Sequence, residues 1–449
     1  MKINRKIIII ISIALILISG FSLRYFAVID TSVDAPIRVD AKDYYFYAQN
    51  LKEFGIYSKQ DRSTESLRSN IIPDAHRNPG YSLFLLPLIA YPPTLEMLQR
   101  VYIVQAIIST ITIILSLFFF KSFLPWPYTL GGALLVALSP HLISMNTFIL
   151  SEGLFIFFLL LTGVSISNYG NQKSFISAAM VGLVLGLALL VRPTVIYFPL
   201  FMLMLLPHIN AKKILTTIIA FTIGFYLVYG PWVIRNKISV PLSNEASLMT
   251  ATLQKGMYPG LMYNNDPKTF GYPNYADPEW ESRKTLTSVL SEIKRRFVEK
   301  PFEHIHWYLI GKPITFLSWS NITGVGDVFI YPIIKSPYFE NILFHWTHAI
   351  MYWLHWPLIT LCLFASIIIW LPIYSKKVTA TALLPIRYCS LLLLYFILVH
   401  VAGTPLPRYS IPIFPYVYAM SMVGLSIIVS EALAYYRKKF RASIGVSSS

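Results

Sequence analysis

Apolar residues run in long blocks along most of the chain, without the regular polar face of an amphipathic helix in a soluble protein. A helix crossing a membrane needs about 20 mostly apolar residues, at 1.5 Å rise each against a hydrocarbon core near 30 Å. Ten stretches meet or approach that length, near residues 7–24, 101–120, 128–146, 149–168, 175–191, 194–209, 214–234, 342–372, 388–404 and 411–433. The fifth and sixth are short, and the eighth is long enough to tilt or break. A further apolar stretch at 307–319 is interrupted by Lys312-Pro313 and reads as an interfacial or re-entrant helix. The pattern predicts an all-α polytopic membrane protein with about ten transmembrane helices, nine to twelve being the range the lengths allow.

Between the blocks lie two large polar segments. The first, 25–100, reads as an irregular loop around two short helices at 44–54 and 80–89. The second, 235–340, holds a turn-rich portion at 258–278 and then an amphipathic helix at 278–299, with Asp277 as N-cap, Pro278 at the first helical position and an end before Pro301. The chain divides accordingly into an N-terminal membrane module (1–234), a second extracytoplasmic segment (235–340) and C-terminal membrane helices (341–449). No internal repeat, P-loop or GxGxxG occurs.

Composition agrees with the hydropathy. Of 449 residues, 55% are hydrophobic and 13% charged, whereas soluble domains carry roughly 25% charged residues. The two cysteines, Cys362 and Cys389, lie in apolar stretches, so no disulfide framework is available. The net charge of +16 is a topology signal. With the N-terminus in the cytoplasm, the internal segments hold 14 of the cations and no Asp or Glu, while 24–100 balances nine cations with nine acids and 235–340 twelve with ten. This predicts a multi-pass plasma (inner) membrane protein with both termini cytoplasmic, and it removes nucleic acid as a partner. The N-terminal run lacks a small-x-small cleavage site and reads as a first span rather than a signal peptide.

On this topology the ionisable residues near the spans fall on the extracytoplasmic face. Asp40, Asp43, His76 and Arg77 lie in the first loop, Glu152 opens the fourth span, Arg192 stands at the turn after the fifth, Arg235 leaves the seventh, and Arg408 precedes the last. Charge near hydrocarbon is costly and calls for a partner or a task. Several arginines and carboxylates converging on one cavity describe a site for an anion with a general base. Each residue alone has a plainer explanation: Arg24 and Arg235 as snorkelling anchors, Glu152 as a favourable charge at a helix N-terminus, Asp40 and Asp43 as loop solvation or a helix cap. The shared face favours the site. His304, His306, His345, His348 and His355 lie among Trp346, Tyr352, Trp353 and Trp356, the composition of an aromatic belt, without HExxH or a carboxylate cluster. The sequon at Asn321 has meaning only in a secretory pathway.

Six segments then carry a resemblance. VDAKDYYFYAQNLKEFGIYS at 39–58 is similar to an Asp-x-x-x-Tyr-x-x-x-Ala-x-x-Leu segment, and HRNPGYSLFLLPL at 76–88 to an Arg-x-Pro-Gly-Tyr-Pro-Leu-Phe segment, with Ser82 in place of proline. SEGLFIFFLLL, LVRPTVIYFPL, PWVIRN and RYSIPIFPY follow in order. Together they resemble the bacterial branch of the GT-C membrane glycosyltransferases, which includes dolichyl-phosphate-mannose protein mannosyltransferase-like enzymes and the aminoarabinose transferase of lipid A. The resemblance implies a GT-C fold and a polyprenyl-phosphate sugar donor. It puts the catalytic acid at Asp40, with Asp43 the alternative because Ala41 follows Asp40.

Nucleotide sugars are cytosolic, so sugar transfer on the outer face needs a donor that has already crossed the membrane. A carboxylate would deprotonate the acceptor hydroxyl, and Arg77, Arg192 and Arg408 would neutralise the leaving phosphate. His76, Tyr44, Glu152 and Arg235 would support them, with inversion at the anomeric carbon. The acceptor is a glycan, lipid or protein; related enzymes differ in metal dependence, so a divalent metal is compatible with the resemblance, and no metal ligand set is readable. Two alternatives remain, a transporter or flippase of a lipid-linked sugar and a polysaccharide ligase.

Overall fold

The computed structural model describes residues 5–61, 71–208, 211–240, 248–261, 268–269, 271–321, 326–375 and 377–443. The chain begins on α1 (Arg5–Asp30), passes α2 (Val39–Phe54) and α3 (Gly80–Leu85) in the first large segment, and re-enters the bundle on α4 (Leu95–Lys121). Next come α5 (Trp126–Leu138), α6 (Pro140–Ser144), α7 (Glu152–Gln172), α8 (Phe175–Val191), α9 (Phe198–Met202) and α10 (Ala211–Ser239). The second large segment holds α11 (Leu248–Gly256), α12 (Leu286–Glu299), α13 (Pro301–His306), α14 (Lys312–Phe316) and α15 (Pro337–Glu340). The bundle closes with α16 (Ile342–Ile368), α17 (Pro372–Ser375), α18 (Ala380–Ala402) and α19 (Phe414–Ser443).

Among the described residues, seven helices are long and apolar enough to cross a membrane, and the bent pair α5–α6 makes an eighth if it is one broken span. Phe175–Val191 and Phe198–Pro207 are apolar but shorter. The ten predicted stretches therefore coincide in the main with helix but are not equal spans. The sixth is broken by Pro199 and Pro207, and Pro193 stands just before it, each without an N–H to donate. The eighth stops at Ile368, with Pro372 opening the separate α17.

Small residues let the helices around the cluster approach closely. A Cβ on Gly224 of α10 would come within 1.9 Å of the Ala179 carbonyl oxygen, and one on Gly182 of α8 within 2.0 Å of the Phe221 oxygen. These backbones touch, as small-residue interfaces in membranes allow. Arg24 is not a snorkelling anchor. It is fully buried and donates to Ser109 Oγ (2.7 Å), Ala137 O (2.9 Å) and Val136 O (3.0 Å). The break before Pro140 leaves the last carbonyls of α5 without helical partners, and the guanidinium supplies them.

The two large segments are joined by a short antiparallel pairing, Ser32 opposite Lys335 and Val33 opposite Ile333. In the second segment the predicted helix at 278–299 begins later, at Leu286, where the Thr285 side chain accepts from Ser288 N. Asp277 Oδ1 accepts from Glu279 N at 2.9 Å, as an N-cap would, but only the short turn Trp280–Ser282 follows; Oδ2 takes hydrogen bonds from Tyr258 (2.7 Å), Arg283 (2.8 Å) and Arg296 (3.0 Å). Part of the turn-rich stretch, and residues 322 and 323 of the sequon, lie outside the described residues.

Candidate active site

Six ionisable side chains from separate parts of the chain meet at one end of the bundle. Arg77 Nη2 lies 2.7 Å from Asp40 Oδ1, and its Nε donates to Asp43 Oδ2 at 3.0 Å. Arg408 Nη1 lies 2.8 Å from Asp40 Oδ2, and its Nε 2.5 Å from Glu152 Oε1. Arg192 Nη1 shares that Glu152 oxygen at 2.7 Å. The order Asp43, Arg77, Asp40, Arg408, Glu152, Arg192 alternates in sign and sums to no net charge.

Local structure accounts for each position. Asp40 and Asp43 stand three apart on α2, on neighbouring turns of one face. Val39 before them takes φ of +45°, a strained conformation for a β-branched residue. Glu152 is the first residue of α7 and Arg192 follows the last residue of α8. Gly80 explains how Arg77 reaches them: a Cβ there would lie 2.7 Å from the Leu190 carbonyl carbon, so only glycine lets the start of α3 rest on the end of α8. Asn78 Nδ2 fastens the same contact, donating to Leu189 O at 2.6 Å.

Burial grades across the cluster. The Glu152 side chain has no exposure, Arg408 11%, Arg192 15%, Asp40 20% and Asp43 25%, so Glu152 is sealed beneath its two arginines and Asp43 is the most open of the six. Burial alone would raise the Asp40 carboxyl, but the Arg408 and Arg77 guanidiniums outweigh it and hold it well below the usual carboxylate range. Burial would likewise lower Arg77, and its carboxylate partners reverse the sign. Glu152 Oε2 is buried with no hydrogen-bond partner. Both Asp40 oxygens are engaged by arginine. Asp43 Oδ1, by contrast, has no hydrogen bond among the described residues.

Of the predicted supporting residues, Tyr44 belongs to the site. Its hydroxyl lies 2.9 Å from Ser151 Oγ, and the Arg77 guanidinium stands 5.6 Å from its ring centroid. His76 flanks the cluster half-buried, its imidazole pKa lowered chiefly by burial and then by Lys59 and Arg77. Arg235 makes no contact with the six. It donates to Asp74 O (2.7 Å) and Tyr57 O (2.9 Å), bracing the first large segment from α10. Sequence reasoning missed that bracing: Tyr47 donates to the Asp74 carboxylate, which accepts from Lys59 N and His76 N, while the Tyr57 hydroxyl donates to the carbonyls of Arg77 and Asn78. It also missed Tyr409, whose ring lies 5.7 Å from the Arg192 guanidinium, although the RYSIPIFPY segment contains it.

The histidines have other partners. His348 pairs with Asp327 at 2.5 Å and His355 shares a hydrogen bond with Leu317 O at 2.7 Å. Among the described residues no group of three or more His, Cys, Asp or Glu is placed to hold a metal ion. Asp40, Asp43 and Glu152 each pair with arginine, and of the three Asp40 alone has both oxygens engaged among the described residues.

Fold and cluster together define a class, a polytopic membrane protein whose bundle ends in an alternating acid–arginine site. No family model matches the sequence, and no curated protein sequence does. Among solved structures, the Archaeoglobus fulgidus oligosaccharyltransferase tethered to an acceptor peptide with the NVT sequon is similar, with a TM-score of 0.51 and 10% identity over 96% of this chain and 51% of its own. The same oligosaccharyltransferase in its apo form has a TM-score of 0.49 at 11% identity, covering 98% of this chain and 52% of its own. The A. fulgidus oligosaccharyltransferase AglB with an inhibitory peptide and a dolichol-phosphate has 0.48 at 10%, covering 99% and 53%. The chain thus spans about half the length of the proteins it matches. At this identity the likeness establishes a fold shared with that oligosaccharyltransferase and no more.

Proposed function

We propose that the chain is an integral-membrane glycosyltransferase that moves a sugar from a polyprenyl-phosphate donor to an extracytoplasmic acceptor, with inversion. The observation that carries this reading is the alternation of three arginines with three carboxylates at one end of the bundle. An anionic donor phosphate can share the guanidinium donors with the carboxylates, since each arginine carries several N–H groups. Arg408 and Arg192 would take it, with Arg77 beside Asp43; their planar forks suit phosphate oxygens.

Asp43 and Asp40 divide the remaining work. The resemblance favours Asp40 as base, whereas the geometry supports Asp43, which is the most open of the six and keeps an oxygen outside the arginine network. In the step, the acceptor hydroxyl gives its proton to the carboxylate and its oxygen bonds to the anomeric carbon. The bond from that carbon to the phosphate oxygen breaks, and the arginines hold the departing polyprenyl phosphate. Asp40 keeps Arg77 and Arg408 aligned.

The test is release of sugar from a radiolabelled polyprenyl-phosphate sugar mixture by purified protein in liposomes, with Asp43→Asn and Asp40→Asn beside wild type. Loss of turnover in one variant that still binds donor establishes the transferase and names the base. Movement of intact lipid across the bilayer without cleavage, equal in all three proteins, would replace this reading with a flippase.

A further inference from the structure

Lys312 opens α14 as a fully buried cation that faces carbonyls rather than a carboxylate. Its Nζ donates to Val401 O at 2.8 Å and Gly403 O at 3.0 Å, and lies 3.5 Å from the Tyr308 ring centroid. Both carbonyls belong to the end of α18, where unpaired C=O groups and the helix dipole favour a cation. The turn they begin runs five residues on to Arg408.

Other parts of the second large segment grip the same turn. Gly256 of α11 presses on it so closely that a Cβ there would come within 1.9 Å of Gly403 O. Thr404 Oγ1 donates to Thr252 O at 2.6 Å, and Trp307 Nε1 donates to Gly256 O at 3.0 Å. Leu406 packs against the cluster of Leu261 and Trp307. Between Trp307 and Lys312 the chain makes one π turn, Trp307–Gly311. Its i to i+5 closure brings Lys312 round toward the Trp307 side, an irregularity frequent at functional sites.

We propose that Lys312 is a positioning residue, clamping the turn after α18 to the second large segment and thereby fixing where Arg408 presents its guanidinium. What Arg408 then binds rests on the transferase reading; the mechanical coupling does not. Through this clamp, whatever docks on the second segment acts on the arginine that bridges Asp40 and Glu152.

The test uses the full chain in nanodiscs, with Lys312→Met, Arg408→Gln and the double variant. Hydrogen exchange followed by mass spectrometry should show Lys312→Met opening peptides across 401–410 while α1, α4 and α7 keep their protection. Binding of undecaprenyl phosphate should weaken roughly fivefold to tenfold in Lys312→Met, the scale of one ordinary hydrogen bond. The double variant should bind no more weakly than Arg408→Gln, because residues acting through one contact are not additive. Unchanged protection across 401–410, or losses that multiply, would overturn the proposal. If wild type binds no undecaprenyl phosphate, the transferase reading fails and the exchange result alone decides the clamp. Should Lys312→Met not fold, Thr404→Val loosens the same turn and carries the same exchange test.

Discussion

Glu152 is a sealed carboxylate shared by Arg192 and Arg408, so Glu152→Gln would leave two guanidiniums without their common anion. Breaking a buried pair costs about 3–5 kcal/mol, and thermal unfolding in detergent should show it. Asp43 is different. Asp43→Asn should cost less stability than Glu152→Gln, since its pair with Arg77 is only partly buried, yet lower turnover by roughly 10²–10⁴-fold. At Asp40 the sign of the pH effect follows from its depressed pKa. A carboxyl whose folded value lies below its unfolded one contributes stability above the unfolded value, about 3.9, and loses it as pH falls toward the folded value. Melting temperature should therefore show no loss from this group between about pH 5 and 7 and a fall below about 4, a fall that Asp40→Asn removes. Val39→Gly relieves a strained φ beside Asp40 and should raise the melting temperature while reducing turnover, since glycine no longer forces the aim of α2.

Between elements, glycines decide what can meet. Gly80 lets α3 sit on the backbone end of α8, and Gly224 does the same for α10 against α8. Gly80→Ala should push Arg77 away from Asp40, costing about 1–3 kcal/mol of overpacking and weakening donor binding more than Gly224→Ala does; melting and lipid binding measured together separate the two. The Pro-Gly of HRNPGYSLFLLPL was legible as a motif, but its reason is a contact with residues more than a hundred positions away. The predicted helix at 278–299 failed for a related cause. Asp277 does accept from Glu279 N, but its other oxygen binds Arg283 and Arg296, and the turn it starts ends before α12 begins at Leu286. The sixth apolar stretch carried its own warning in Pro199 and Pro207, with Pro193 just before it.

For the molecule as a whole, the lysines and arginines of the short connections predict cytoplasmic termini. Both native cysteines are buried, so introduced ones report cleanly. Glu279→Cys should react with an impermeant maleimide in intact cells, and Lys439→Cys only after permeabilisation; the opposite pattern would turn the bundle over and move the site to the cytoplasmic face. The pairing of Ser32 with Lys335 ties the two large segments to each other, and Lys312 ties the second to the turn after α18. A ligand reaching either segment is in mechanical contact with the cluster.

Hydropathy is a local property, summed over twenty neighbours, so the sequence by itself determined a helical membrane bundle with two large polar segments, and the charged residues it singled out include the six that meet in the structure. Which of them touch is a property of distance in space. Asp40 and Arg408 stand at opposite ends of the chain and pair only because α2 and the turn before α19 end at the same height of the bundle. Arg235 has the same local signature as Arg192, a cation at the end of an apolar helix, yet α10 carries it to the Asp74 loop. Coulomb attraction is blind to sequence order and falls with distance, so only the packing of glycine-lined helices could choose each arginine its carboxylate.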